Sequence, residues 1–133
     1  MIGLLIVAHG NLGESLIQSA TYVLGERPDR LGAIDLMSHP NTDAMLAAAR
    51  GQIEALDAGD GVLVLTDMYG ATPCNIVCKL LRPGKLEAVA GVNLPMLLKA
   101  LSYRHEGLGL LAGRVANGGR AAVIHIRFDH CDA

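Results

Sequence analysis

The sequence has no excess of positive charge. Its 11 lysines and arginines stand against 13 aspartates and glutamates, a net charge of -2, and they are scattered rather than gathered into a stripe. That removes the electrostatic footprint by which proteins hold nucleic acid or anionic lipid, and leaves small molecules and other proteins as partners. Missing too is any apolar run of the ~20 residues needed to span a bilayer. Met1-Ile2-Gly3 has neither the basic start nor the cleavage site of a signal peptide, so a cytoplasmic chain without direct membrane insertion is expected. The three cysteines are odd in number and unpatterned, which points to free thiols in a reducing compartment. Nucleotide loops are absent as well, because Gly10 and Gly13 alone make neither a Walker motif nor a dinucleotide fingerprint. No internal repeat or low-complexity segment occurs.

What the chain does have is apolar character. With 133 residues, 51% of them hydrophobic, it can build one core that buries roughly two thirds of the unfolded surface, and one domain over residues 1–133 is expected. The stretch that organises the rest is Gly3-Leu4-Leu5-Ile6-Val7-Ala8-His9-Gly10-Asn11-Leu12-Gly13. An unbroken apolar run of strand length reads as a strand buried on both faces, and here a reactive side chain and a Gly-punctuated turn follow directly. His9 is thereby presented at the carboxyl end of a central strand, the edge where ligands bind in open α/β sheets.

Strand and helix then alternate. Leu16, Ile17, Ala20, Val23 and Leu24 recur at helical spacing, predicting a helix over Asn11 to Leu24 stopped by Gly25. Leu31 to Leu36 is a short second strand, and the loop after it puts His39 on the His9 edge. Asn41 or Thr42 caps a helix running to Leu56, with Met45, Ala49, Ile53 and Leu56 inward. Val62 to Leu65 is the third strand. In the loop from Thr66 to Pro73, Thr72 followed by Pro73 reads as an N-cap and first-turn pair opening a helix that ends at Arg82-Pro83-Gly84. A fourth strand, Leu86 to Val92, leads to Asn93, which can cap a helix ending near Tyr103. Leu108 to Ala116 reads as another helix, stopped at Asn117-Gly118-Gly119, and Ala121 to Phe128 alternates as a last strand would.

Strands joined by helical crossovers argue for a parallel sheet with helices on both faces, an α/β fold. In the simplest strand order, 2-1-3-4, the winding reverses between strands 1 and 3 and brings His9 beside Asp67. A carboxylate there can accept one ring N–H and leave the other nitrogen free as a nucleophile. Thr72 adds a hydroxyl at a helix start, and Gly10, Met68, Gly70, Ala71 and Asn93 are the backbone and loop positions expected to line the site. Nucleophile, orienting carboxylate and anion cradle are the parts of a phosphoryl acceptor. No cofactor and no metal is required.

Three separate stretches, Leu4 to Gly10, Thr66 to Asn75 and Gly91-Val92-Asn93-Leu94-Pro95-Met96-Leu97, together resemble the enzyme IIA domain of the mannose family of the bacterial phosphoenolpyruvate-dependent sugar phosphotransferase system. The resemblance runs nearly end to end. It implies that His9 is the phosphorylated histidine, taking its phosphoryl group from the phosphocarrier HPr and passing it to a IIB protein, with Asp67 orienting the ring. Where the family motif has Gly-Ser-Pro-Phe-Asn, this chain has Ala71-Thr72-Pro73-Cys74-Asn75, so the hydroxyl is kept and an aromatic is lost. Family members are dimers that exchange the last strand, which implies a homodimer exchanging Ala121 to Phe128. A free-standing IIA protein can also serve as a regulator whose phosphorylation state partners read.

Other histidine chemistries fit less well. A small tetrapyrrole metal chelatase also has histidine and glycine after its first strand, and would need His39 or His105 as a second histidine. Histidine phosphatases place an arginine where Ala8 stands, and receiver domains need acidic residues where His9 stands. Cys74 and Cys78 have a metal-compatible spacing, but Cys78, beside Val77 and Leu80, reads as core. His125 reads as a packed strand residue and His105 as a solvated loop residue, and His130-Cys131-Asp132 as a frayed terminus.

Overall fold

A computed structural model describes residues 1–131. Four strands, β1 (Gly3–Ala8), β2 (Leu31–Asp35), β3 (Val62–Thr66) and β4 (Leu86–Ala90), form one sheet in the order β2-β1-β3-β4. All neighbouring pairs are parallel, with Val7 opposite Ile34 on one side and Thr66 on the other. The expected α/β fold and strand order are those observed. The described helices are α1 (Leu12–Leu24), α2 (Thr42–Leu56), α3 (Thr72–Cys78), α4 (Leu94–Tyr103) and α5 (Leu108–Ala121).

The period of two in β1 decides which helix packs where. Leu4, Ile6 and Ala8 join Leu63 and Leu65 on one face, against Ile17 and Ala20 of α1, Leu97 and Ala100 of α4, and Leu111 and Val115 of α5. Leu5 and Val7 join Val62 and Val64 on the other, against Ala49 of α2 and Ile76 and Val77 of α3. Every residue of β1 is buried, as a charge-free run requires. Asn41 and Asn93 cap α2 and α4, their side-chain oxygens accepting the Ala44 and Met96 N–H at 2.9 and 2.8 Å.

Four expectations are corrected. Ala121 to Phe128 is no strand in this chain: α5 ends at Ala121, residues 123–127 have no regular structure, and Phe128–Cys131 is a 3-10 turn. An alternating apolar pattern makes a strand only where an edge lies beside it, and Val123, Ile124, Ile126 and Phe128 are instead exposed, as is His125. α5 also runs through Asn117-Gly118-Gly119. Tertiary packing overrides the two glycines there, because a Cβ on Gly119 would sit 2.6 Å from Met96 Cε and the bare backbone lets α5 close on α4. Thr72 does not cap α3: Ala71 occupies that position and no side chain caps the helix. Finally, Cys78 is exposed, and it is Cys74, one helical turn earlier, that is buried.

Arg104, just after α4, is 4% exposed and meets no carboxylate. Its guanidinium donates to the Ile2 carbonyl from Nε and Nη2, to Asp29 O at 2.7 Å and to Arg30 O at 2.7 Å, tying the α4 end and the α1–β2 loop to the start of β1. Burial pushes its pKa below the ordinary value.

Candidate functional site

At the carboxyl edge, β1 ends one residue before His9 and β3 one residue before Asp67. Their parallel register brings the two side chains together across the reversal of winding. His9 Nδ1 lies 2.6 Å from Asp67 Oδ2, and the same oxygen accepts the His9 main-chain N–H at 2.9 Å. Asp67 Oδ1 accepts the Met68 N–H, also at 2.9 Å. Burial works to raise the Asp67 pKa, while the hydrogen bonds from the His9 backbone, the His9 ring and Met68 N–H, with the charge of a protonated ring, hold it below the ordinary carboxylate value.

An ionised carboxylate only accepts, so in the neutral ring the nitrogen facing it carries the hydrogen and Nε2 keeps its lone pair. The His9 side chain is 46% exposed and that of Asp67 12%, so the carboxylate is sheltered while the ring faces outward. What this arrangement can do chemically is present a neutral, tautomer-defined nitrogen nucleophile to something arriving from outside.

The other expected positions divide. Gly10, at φ +56, makes the turn that lets the chain leave β1 and enter α1. Gly70 accepts the Asn75 side-chain amide through its carbonyl at 3.2 Å, and Ala71 N–H donates to Met68 O, so the loop after Asp67 is closed on itself. Met68 is exposed. Thr72 is the first residue of α3 and its side chain is exposed. Asn93 reaches the same edge, where Val92 N–H donates to Thr66 O, but both ends of its side chain are engaged in packing: Oδ1 caps α4 and Nδ2 donates to Gly119 O at 3.1 Å.

His39 also lies on this edge, at the end of the 3-10 turn Leu36–Ser38. His105 does not. Arg104 O accepts the Ile2 N–H, which places that loop at the amino end of β1, on the far side of the sheet. Among the described residues no group of three metal-ligating side chains forms. The reading from sequence missed Asp35, the last residue of β2, whose Oδ1 accepts the Gly10 N–H at 3.1 Å and the Met37 N–H at 3.0 Å. The signal was there, an acidic residue closing a strand at the same edge as His9. Thr66, just before Asp67, buries a hydroxyl that has no partner among the described residues.

Fold and edge together define a class: a parallel α/β protein, wound in both directions from its central strands, that carries an exposed histidine held by a carboxylate. Comparison with known proteins narrows it. The family model described as PTS system fructose IIA component, EIIA-man, matches residues 3–112. The mannose-specific EIIAB component of Escherichia coli (strain K12) is 33% identical over 106 residues, 79% of this chain and 32% of that protein. The fructose-specific EIIA component of Bacillus subtilis (strain 168) is 29% identical over 107 residues, 80% of this chain and 73% of that one. A crystal structure of phosphotransferase system component EIIA from Streptococcus agalactiae superposes with a TM-score of 0.83 at 26% identity, covering 98% of this chain and 100% of the other. The chain belongs to the mannose-type EIIA family of the phosphotransferase system. It spans about a third of the length of the E. coli EIIAB relative. Among the described residues no helix is long and apolar enough to cross a membrane.

Proposed function

We propose that His9 is a phosphohistidine carrier in a phosphotransferase system, accepting a phosphoryl group from HPr and passing it to a IIB protein. The observation that carries this reading is the contact at 2.6 Å between His9 Nδ1 and Asp67 Oδ2, which leaves Nε2 as the free nucleophile on an exposed ring. In the forward step the Nε2 lone pair forms the N–P bond as the bond from phosphorus to the donor breaks. The ring then carries positive charge, which Asp67 offsets across the Nδ1–H. Thr72 supplies a hydroxyl for a phosphoryl oxygen, with Gly10, Met68, Gly70 and Ala71 shaping the loops around it. The second transfer reverses these roles toward the IIB acceptor.

A protein partner rather than a small substrate suits the surroundings. Leu12 at the start of α1, Met37 in the 3-10 turn after β2, and Met68 and Tyr69 in the loop after β3 are all large, apolar and exposed, an edge suited to meeting another protein surface. A second copy of the chain is the proposed cover for Val123, Ile124, Ile126 and Phe128, since four exposed apolar residues in one unpaired segment are otherwise costly. Light scattering should then report a dimer, and a stable, active monomer at micromolar concentration would remove that part of the proposal.

The test of the carrier role is incubation with phosphoenolpyruvate, enzyme I and HPr, followed by intact mass. One acid-labile phosphoryl group is expected, absent from a folded His9→Ala variant. Phosphorylation persisting in that variant puts the acceptor elsewhere.

A further inference from the structure

We propose that Asp35 is a positioning residue for His9, a role that rests on the phosphoryl-carrier reading above. The two peptide N–H groups on either side of the His9 Cα are both held by carboxylates, one from each neighbouring strand. The His9 N–H goes to Asp67 Oδ2 on the β3 side at 2.9 Å, and the Gly10 N–H to Asp35 Oδ1 on the β2 side at 3.1 Å. Asp35 stands opposite Ala8 in the parallel register, so its carboxylate is level with the point at which the chain leaves the sheet. The same Oδ1 accepts the Met37 N–H at 3.0 Å, and the Asp35 carbonyl accepts the Ser38 hydroxyl at 2.7 Å, so the carboxylate is itself anchored in its own turn.

The need for such an anchor follows from the local backbone. Gly10 is at φ +56, a conformation in which glycine has wide freedom, and nothing stands within 4 Å of where its Cβ would be. Without a second hold the turn could pivot about the Asp67 contact and carry the ring with it. Asp35 touches no reacting atom. It acts through the Gly10 amide, keeping His9 at the angle at which Nδ1 meets Asp67 and Nε2 faces outward, and it borders the cleft lined by Gly10, Asn11 and Glu14.

The role is one of acceptor geometry rather than charge, and three variants of the full chain separate the two. Asp35→Asn keeps an oxygen that can accept both N–H groups, Asp35→Glu keeps the charge but displaces it, and Asp35→Ala removes both. The first measurement is the 15N signature of the His9 ring in the unphosphorylated protein, which needs no phosphoryl donor. Wild type and Asp35→Asn should show a single Nδ1–H tautomer, while Asp35→Glu and Asp35→Ala show a mixture, with faster hydrogen exchange at the Gly10 amide. The second is the rate of uptake from phosphorylated HPr. It should fall about tenfold in the Glu and Ala variants at unchanged KM for the donor, and stay within about threefold in Asp35→Asn, in keeping with the cost of a small misplacement. Should Asp35→Ala fail to fold, the Asn and Glu variants carry the comparison. A wild-type tautomer and rate in Asp35→Glu, or an Asn variant as impaired as Glu, overturns the proposal. A wild-type chain that takes up no phosphoryl group overturns the carrier reading instead, and the ring measurement still decides Asp35.

Discussion

One carboxylate oxygen, Oδ2 of Asp67, meets His9 twice, at the ring Nδ1 and at the main-chain N–H, at 2.6 and 2.9 Å. The side chain and the backbone of the proposed nucleophile are thus referred to a single atom on the residue that directly follows the neighbouring strand. Because β1 and β3 are bonded in register up to Val7 and Thr66, the sheet edge sets where both residues begin their loops.

Asp67→Asn should therefore leave the fold nearly unchanged and slow phosphoryl uptake by roughly 10²-fold or more, the scale on which orienting and general-base groups act. An amide can offer its N–H to Nδ1 and so stabilise the wrong tautomer. Rapid-quench kinetics with phosphorylated HPr measures this, and a variant phosphorylated at the parental rate leaves the carboxylate with a role in the turn only. His39→Ala should have far less effect.

The pH dependence of stability follows from the lowered Asp67 pKa. A carboxylate held below its ordinary value of 3.8 contributes stability that is fully present above that value and is lost as pH falls through the lower folded-state value. Urea denaturation of wild type and Asp67→Asn over a pH series should show a wild-type advantage that is level above pH ~5 and shrinks in acid. An advantage that grew on acidification would contradict the assignment.

Arg104 offers a test of structure separate from the chemistry. Replacing it by Met removes the side-chain donor from the carbonyls of Ile2 and Asp29 and leaves Arg30 O with the Leu4 N–H alone, at a cost of about 2–4 kcal/mol given what hydrogen bonds to a charged donor contribute and what an under-partnered buried acceptor loses. Denaturant midpoints should fall accordingly, while the rate of phosphoryl uptake per folded molecule stays at the wild-type level, since the site lies at the other end of β1.

Thr66→Val should go the other way. The buried hydroxyl has no partner among the described residues, and the side chain faces the same layer as Val62 and Val64, so an apolar side chain of similar size should hold or raise stability by up to about 1 kcal/mol. A loss of more than that would reveal a polar contact at the Thr66 hydroxyl.

Much of this was legible in the order of residues. A charge-free β1 declares itself buried on both faces, and crossover handedness then leaves few strand orders, of which 2-1-3-4 puts His9 beside Asp67. Asn41 and Asn93 announce their helices because capping is local chemistry between residues three apart. The tertiary structure decided what depends on contacts distant in sequence. The glycines that should stop α5 instead let it close on Met96, and Arg104, on which the sequence pattern is silent, is buried against three carbonyls brought from the other end of the chain. The alternating tail from Val123 to Phe128 has the pattern of a strand and no edge within its own chain to make it one. Asp35 belongs to the same group. Its carboxylate meets Gly10 only because β2 pairs with β1 in one register, and pairing is a property of the sheet, not of either segment.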